Sequence, residues 1–255
     1  MDAHQYKIKA AAELLFLNAL RNFPSTSAPM VMQAVQSVRS STAIDPNSIV
    51  KKEAVYSMIS LGCTQLKPLL DIESFLADDI CKDLEVKVEG FEIVRRKIAS
   101  IVESWAYVLR PKMAYIAYAI LLRLLQRGED IIVRMYAAIS LNNFIESFCA
   151  NGAEFPNETP VLTCASTSMN MALKNLSSVN VQNPQKIFLG FAKEILERLV
   201  FLVEDCDVAV VQTCILGTII KFIEEAGETL LPPLFPLFFG ALSHVWKKES
   251  NENLV

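Results

Sequence analysis

The chain has 255 residues, of which 52% are hydrophobic and 20% are charged, and its net charge is −4. This apolar content is typical of a folding protein and excludes a disordered one. The negative balance argues against a basic stripe for phosphate backbones, so no nucleic-acid partner is expected.

Nearly all of the first half reads as helix, interrupted at proline and serine-rich stretches. The first helix should end at Pro24, and a short helix should begin at Met30. Asp45 before Pro46 indicates another helix start, because proline is tolerated in the first turn. The helices predicted here cover residues 5–22, 30–39, 48–66, 72–84, 91–109 and 111–126. In residues 91–109 the apolar side chains recur at three- and four-residue steps, which places them on one face.

The second half continues the same pattern. Gly128 fits a C-terminal helix cap, and Asp130 fits the N-cap of a helix that runs to about residue 148. Thr159, Asp207 and Thr229 are further N-cap candidates. The later helices are predicted over residues 159–178, 185–203, 207–225 and 229–248.

A short pattern, Val-(Lys/Arg)-x-x-(small or apolar), recurs about every forty residues. Copies begin at Val50-Lys51, Val94-Arg95 and Val133-Arg134, and a fainter copy begins at Val210-Val211. A period near forty is typical of HEAT or armadillo helix pairs. We therefore expect an all-α, right-handed, superhelical α-solenoid of about five to six helix pairs. An N-terminal helical segment should cover residues 1–47, and the solenoid residues 48–255.

Two apolar stretches, Val208–Phe222 and Leu230–Trp246, could be mistaken for membrane spans. The first contains Gln212 and the second contains three prolines, and both are too short for a regular span. Buried solenoid helices explain them better than a membrane hairpin, so no membrane span is expected.

Lys51, Arg95 and Arg134 occupy the same position of the repeated pattern. We interpret them as a structural ladder in which each basic residue pairs with an acid of the neighbouring repeat, with cargo contact as the alternative. Val211 takes this position in the fourth copy, so the ladder should break there.

Acidic residues form three clusters that are either solvated surface or contacts for basic cargo. Paired carboxylates act as acid and base only in a shielded cleft, which helix ends and loops do not suggest. The clusters are Asp78, Asp79 and Asp83; Glu204, Asp205 and Asp207; and Glu224, Glu225 and Glu228.

Catalytic and metal-binding patterns are missing from the sequence. His4 and His244 are the only histidines, and neither has metal-ligand spacing around it. We expect no enzyme activity, no metal and no cofactor. Trp105 and Trp246 lie on apolar helix faces, where core packing is expected; an aromatic pocket for a phenylalanine–glycine (FG) peptide is the alternative.

A set of short motifs resembles a known family in order and spacing. They are Lys52-Glu53-Ala54-Val55-Tyr56; Val94-Arg95-Arg96-Lys97-Ile98, ending in Trp105; Leu109-Arg110-Pro111; Asp130-Ile131-Ile132-Val133-Arg134, ending in Asn142-Asn143-Phe144; Val203-Glu204-Asp205-Cys206-Asp207; Ile223-Glu224-Glu225; and Val245-Trp246-Lys247-Lys248-Glu249-Ser250. Over residues 48–255 they resemble the central HEAT repeats of the importin-β superfamily (karyopherins), in particular its importin-eleven branch. Residues 165–190 depart from the family pattern.

The resemblance implies a nuclear transport receptor that binds protein cargo, the Ran GTPase and FG nucleoporins. It implies a location in the cytoplasm, the nucleus and the nuclear envelope. The chain is expected to be an interior slice of a longer array, or a truncated product, without the family's N-terminal Ran-binding repeats. A generic HEAT scaffold for a multiprotein complex is the alternative function, because solenoid repeats resemble one another.

Overall fold

The structure is a computed structural model that describes residues 3–41, 43–149 and 184–226, together with positions 232, 235, 236, 238–240, 242, 243 and 246. The chain divides into two compact units, residues 1–105 and 106–255. The predicted division into residues 1–47 and 48–255 stays a prediction. The predicted helix over residues 159–178 lies outside the described residues, as does most of the one over residues 229–248.

The first unit begins with two helices, α1 (Ala3–Asn22) and α2 (Pro24–Arg39). The predicted start of the second helix at Met30 is wrong, because α2 already begins at Pro24. Pro24 occupies the first helical turn, where no backbone N–H donor is needed. Pro29 lies inside the helix, one turn later, and removes only one backbone hydrogen bond.

The helix α3 (Pro46–Leu61) begins where the sequence predicts. The Asp45 carboxylate caps it by accepting the backbone N–H groups of Asn47 (3.0 Å) and Ser48 (3.2 Å). A short helix, α4 (Cys63–Leu66), follows directly after Gly62. A Cβ atom at Gly62 would lie 2.9 Å from the Met58 carbonyl oxygen, which is backbone and cannot move aside cheaply, and equally close to a Leu20 methyl group of α1, so this position favours glycine.

The next segment predicted as one helix, residues 72–84, is helical but irregular. It consists of α5 (Ile72–Ser74), a π-helical segment (Phe75–Ile80) and α6 (Cys81–Asp83). The amphipathic helix α7 (Glu92–Trp105) packs along α3. Trp105 is fully buried, and its indole N–H donates to the Ile59 carbonyl at 3.1 Å. The prediction of a core role for Trp105 is confirmed.

The second unit contains a 3-10 turn (Ala106–Val108), α8 (Pro111–Leu124), α9 (Ile131–Cys149), α10 (Pro184–Asp205) and α11 (Ala209–Ala226). Asp130 caps α9 as predicted, accepting the N–H groups of Ile132 and Val133, both at 3.1 Å. The prediction of Gly128 as the cap of α8 is wrong. The helix ends at Leu124 with Leu125 as its C-cap, because the Leu125 N–H already bonds back to the α8 carbonyls.

Helices of the second unit pack in neighbouring pairs: α8 on α9 and α10, α9 on α10 and α11, and α10 on α11. An aromatic cluster joins three of them. The Tyr118 ring of α8 lies 5.1 Å from the Phe144 ring of α9 and 5.7 Å from the Phe191 ring of α10. Such ring pairs add stability beyond their buried area.

Helices are the only regular elements in the described part of the chain, and within each unit they pack against one another. The protein is thus an all-α helical-repeat solenoid, and the predicted fold class is confirmed. No helix among the described residues is long and apolar enough to cross a membrane. Trp246 is 75% exposed, so the expectation that it packs in a core is wrong.

Candidate functional site

The recurring basic residue has a fixed place in the burial pattern. Arg95 in α7 and Arg134 in α9 are themselves buried, with 7% and 3% of their surface exposed. Each is followed, three and four residues later, by a buried apolar pair on the same helix face. These pairs are Ile98 with Ala99 and Ala137 with Ala138.

The same pattern in α3 selects Lys52 and not Lys51. The buried pair Val55 and Tyr56 stands three and four residues after Lys52, whereas Lys51 is exposed. Val50, which the sequence aligns with the buried valines 94 and 133, is 58% exposed. The structure therefore places the first copy of the pattern one residue later than the sequence alignment does.

The fourth copy shifts in the same way. Gln212 is 8% exposed and precedes the buried Ile215 by three residues and the buried Ile219 by seven. Gln212, and not Val211, thus holds the position of Arg95 and Arg134. The side chain at this position is still a hydrogen-bond donor in the fourth copy, although it carries no charge.

In the first unit, two of these residues bind residues 83–86, which are the last residue of α6 and the loop after it. The Lys52 ammonium lies 2.7 Å from one carboxylate oxygen of Asp83, the last residue of α6, and the Tyr56 hydroxyl donates to the other oxygen at 2.5 Å. The Arg95 guanidinium donates to the Val86 carbonyl at 2.8 Å. We call this cluster, Lys52, Tyr56 and Arg95 on residues 83–86, the Asp83 clamp.

The second unit repeats the arrangement at the end of α10. Arg134 donates to one oxygen of Asp205 at 2.7 Å, and Arg127 donates to the other at 2.8 Å. The Gln212 amide donates to the carbonyls of Val203 (3.2 Å) and Cys206 (2.7 Å). We call this cluster, Arg127, Arg134 and Gln212 on residues 203–206, the Asp205 clamp.

Both clamps place donors or cations at, or just after, the C-terminal end of a helix. The last carbonyls of a helix have no partner within the helix, and the helix dipole is negative at that end, so donors and cations are favoured there. In each unit the donors come from the helix before this end and from the helix after it: α3 and α7 in the first unit, α9 and α11 in the second. Each clamp thereby ties three helices together.

The predicted ladder pairs Lys51, Arg95 and Arg134 each with an acid of the neighbouring repeat, and the contacts of these residues match it only in part. Arg134 pairs with an acid on another helix, as expected for a ladder, while Arg95 contacts the preceding loop and Glu92 of its own helix, at 3.2 Å. Lys51 donates to the Ser37 hydroxyl at 3.1 Å. A continuous ladder along the whole array stays a prediction.

The electrostatics of the clamps follow from burial and charge. Burial raises the pKa of Asp205, but the hydrogen bonds and charges of Arg134 and Arg127 outweigh it, so the pKa is lowered. Burial, together with the neighbouring Asp83 carboxylate, raises the pKa of Tyr56 well above its usual value. Tyr56 is therefore a neutral donor at physiological pH, and Asp205 is an anion.

The predicted acidic clusters divide into internal and exposed members. Asp83 and Asp205 belong to the clamps, and Asp79 pairs with Arg39 at 2.9 Å. Burial raises the pKa of Asp79 against the opposing effect of Arg39. Glu204 is half-buried, whereas Asp78, Asp207 and Glu224 are exposed. The side chain of Glu225, and all of Glu228, lie outside the described residues.

The structure adds residues that the sequence reading missed: Lys52, Tyr56, Arg127 and Gln212. Lys52 and Gln212 are selected by the burial of the residues that follow them, which the sequence pattern alone does not show. Nothing local marks Tyr56 or Arg127, because their partners stand far away in the chain. Among the described residues no group of three or more His, Cys, Asp or Glu is placed to hold a metal ion. The side chains of His4 and His244 lie outside them.

Comparisons with known proteins give a distant match. The chain is similar to Importin-11. It is 24% identical to the Mus musculus and the Homo sapiens proteins over 153 residues, which is 58% of this chain and 15% of each relative's length. No family model matches the sequence, and no solved structure matches it. The match supports a relation to the importin-β superfamily, the family that the sequence motifs resemble.

Proposed function

We propose that the chain is part of a nuclear transport receptor of the importin-β type, which binds protein cargo and carries it into the nucleus. The observation that supports this proposal is the similarity to Importin-11 over 153 residues, in a chain whose fold is a helical-repeat solenoid. The proposed partners are protein cargo, FG nucleoporins and the Ran GTPase. The proposed locations are the cytoplasm, the nucleus and the nuclear envelope.

The proposed mechanism is binding and not catalysis. In a solenoid each helix pair contacts its neighbours only, so the molecule offers a long surface that adapts by small changes between repeats. The two clamps fix the helix ends, because they satisfy carbonyls and carboxylates that would otherwise be buried without partners. The exposed faces of the same helices remain for partners.

Among the predicted cargo residues, the exposed acids Asp78 and Glu224 are the ones we assign to cargo, and a cargo contact of Asp207 stays a prediction. Three other acids already form ion pairs with basic residues of this chain, so we do not assign them to cargo: Asp79, Asp83 and Asp205. With the net charge of −4, exposed carboxylates favour a cargo segment rich in lysine and arginine.

The function is tested by incubating the purified chain with an immobilised FG-repeat nucleoporin fragment and, in parallel, with Ran loaded with GTP. A nucleoporin fragment in which the phenylalanines are replaced by serine is the matched control. We expect retention on the phenylalanine-containing fragment only. Equal retention on both fragments, or no retention on either, would leave a generic HEAT scaffold as the better account.

The cargo surface is tested with the variant Asp78→Asn/Glu224→Gln and a basic peptide. A control variant, Glu85→Gln/Glu89→Gln, removes the same charge from other exposed positions. We expect the first variant to bind the peptide several-fold more weakly than the control does, since each lost charge contact contributes up to about 1 kcal/mol. Equal affinities of the two variants would remove these acids from the cargo surface.

A further inference from the structure

A small cavity lies in the first unit where α2 ends and α3 begins. Its volume is about 130 Å³. Its lining is polar and basic: Ser37, Val38, Ser41, Ala43, Ser48, Lys51 and Lys52. Lys52 also belongs to the Asp83 clamp, but the cavity has no role in either clamp or in the proposed transport function.

Lys51 brings an uncompensated positive charge to this cavity. Its ammonium donates one hydrogen bond, to the Ser37 hydroxyl at 3.1 Å. Within the described part of the chain no carboxylate lies within ion-pair distance of it. The neighbouring Lys52, in contrast, pairs with Asp83. Two of the three ammonium protons of Lys51 therefore remain available to an acceptor.

Two serine hydroxyls also retain their protons for an acceptor. The Ser37 oxygen accepts from Lys51, and the Ser41 oxygen accepts the Ala43 N–H at 3.4 Å, so in both cases the hydroxyl acts as an acceptor and its proton is still available. The Ser48 hydroxyl is different, because it donates to the Asp45 carboxylate at 2.5 Å.

Asp45, the nearest acid along the chain, does not serve as the partner of Lys51. Its carboxylate accepts the Ser48 hydroxyl and the backbone N–H groups of Ser48 and Asn47. These hydrogen bonds lower its pKa, so it stays an anion that is held at the start of α3. The cavity thus collects three donors, from Lys51, Ser37 and Ser41, and no carboxylate among the described residues accepts a hydrogen bond from them.

We propose that this cavity binds a phosphate group, either as the free ion or on a phosphorylated serine or threonine side chain. A phosphate monoester carries about −1.5 to −2 charges at pH 7 and three strong acceptor oxygens, which match one ammonium and two hydroxyl donors.

The test is calorimetric titration of the full chain with inorganic phosphate at constant ionic strength. We expect Lys51→Met to weaken binding several-fold, because it removes the one ammonium charge that this site offers from an exposed position. Ser37→Ala and Ser41→Ala should each weaken binding by a smaller factor. Lys87→Met, which removes another exposed lysine of the same unit outside the cavity, should leave it unchanged.

A second titration identifies the source of the phosphate. A capped phosphoserine peptide that binds at least as tightly as inorganic phosphate indicates a phosphorylated protein, and binding of inorganic phosphate alone indicates the free ion. Absence of binding to both, or equal affinities of Lys51→Met and the unmodified chain, would overturn the proposal. Thermal unfolding of Lys51→Met and Lys87→Met shows whether each variant is folded. Because the nucleoporin assay involves no phosphate, this outcome is independent of the transport proposal.

Discussion

Replacing Asp205 by alanine should destabilise the second unit through one buried arginine. Asp205 accepts from Arg134, whose side chain is 3% exposed, and from Arg127, whose side chain is 60% exposed. The Nε and Nη2 atoms of Arg134 are buried and have no hydrogen-bond partner. Within the described residues, Asp205 is thus the one group that compensates the Arg134 charge.

The magnitude follows from the burial of the two partners. Removing one member of a buried ion pair costs about 3 to 5 kcal/mol, because a charge is left without compensation. The Asp205 side chain is 22% exposed, so water can partly replace it, and we expect a loss of about 2 to 3 kcal/mol. For a chain of this size that loss lowers Tm by about 4 to 12 °C. Arg127→Met breaks only the exposed pair and should cost less than about 1 kcal/mol.

Urea unfolding followed by circular dichroism measures both losses, and hydrogen exchange of α9 and α10 peptides assigns them to the second unit. Arg134→Met/Asp205→Ala completes a double-mutant cycle and should be more stable than Asp205→Ala alone, because it removes the orphaned charge. An unfolding free energy of Asp205→Ala within about 0.5 kcal/mol of the unmodified chain would refute this reasoning. So would a loss in Arg127→Met as large as that in Asp205→Ala.

Three further expectations concern local contacts. Tyr56→Phe should cost about 1 to 2 kcal/mol in urea unfolding, because a buried hydroxyl no longer donates to the charged Asp83. No loss would show that Lys52 alone holds the Asp83 carboxylate. Asp130→Ala should cost about 1 kcal/mol by removing the cap of α9, with faster hydrogen exchange in its first turn; unchanged exchange there would argue against capping. Because the pKa of Asp205 is lowered on folding, its charge contributes stability above its ordinary pKa of 3.8, and this contribution disappears as the pH falls through the lower folded value. Urea midpoints of the unmodified chain and Asp205→Asn should therefore differ at pH 7 and converge below about pH 4, and a constant difference would contradict the pKa shift.

Helix starts were predictable where the signal is local. Asp45 and Asp130 cap α3 and α9 through backbone groups two and three residues ahead, and such contacts depend on sequence neighbours alone. Pro29 misled the prediction of α2, because a proline usually marks a helix boundary. Here Pro29 is the sixth residue of α2, beyond its first turn, and the helix continues through it with the loss of one backbone hydrogen bond.

The exact position of the repeated residue in the first and fourth copies of the pattern was harder to predict from the sequence. Lys51 and Lys52 both follow Val50, and matching the valines selected Lys51. Burial decides for Lys52, whose charge meets Asp83 some thirty residues later in the chain. Gln212 was missed for a related reason: its amide replaces the cation, and its carbonyl partners become visible only when α10 and α11 are packed.

Binding at the nuclear pore distinguishes a nuclear transport receptor from a generic scaffold. The fluorescently labelled chain is applied to permeabilised cells, and its signal at the nuclear rim is measured with and without an excess of soluble FG-repeat nucleoporin fragment. The account predicts rim labelling that this fragment abolishes and that its phenylalanine-to-serine version leaves intact. A chain that shows no rim labelling, or labelling that both fragments leave unchanged, would contradict the assignment to the nuclear transport receptors.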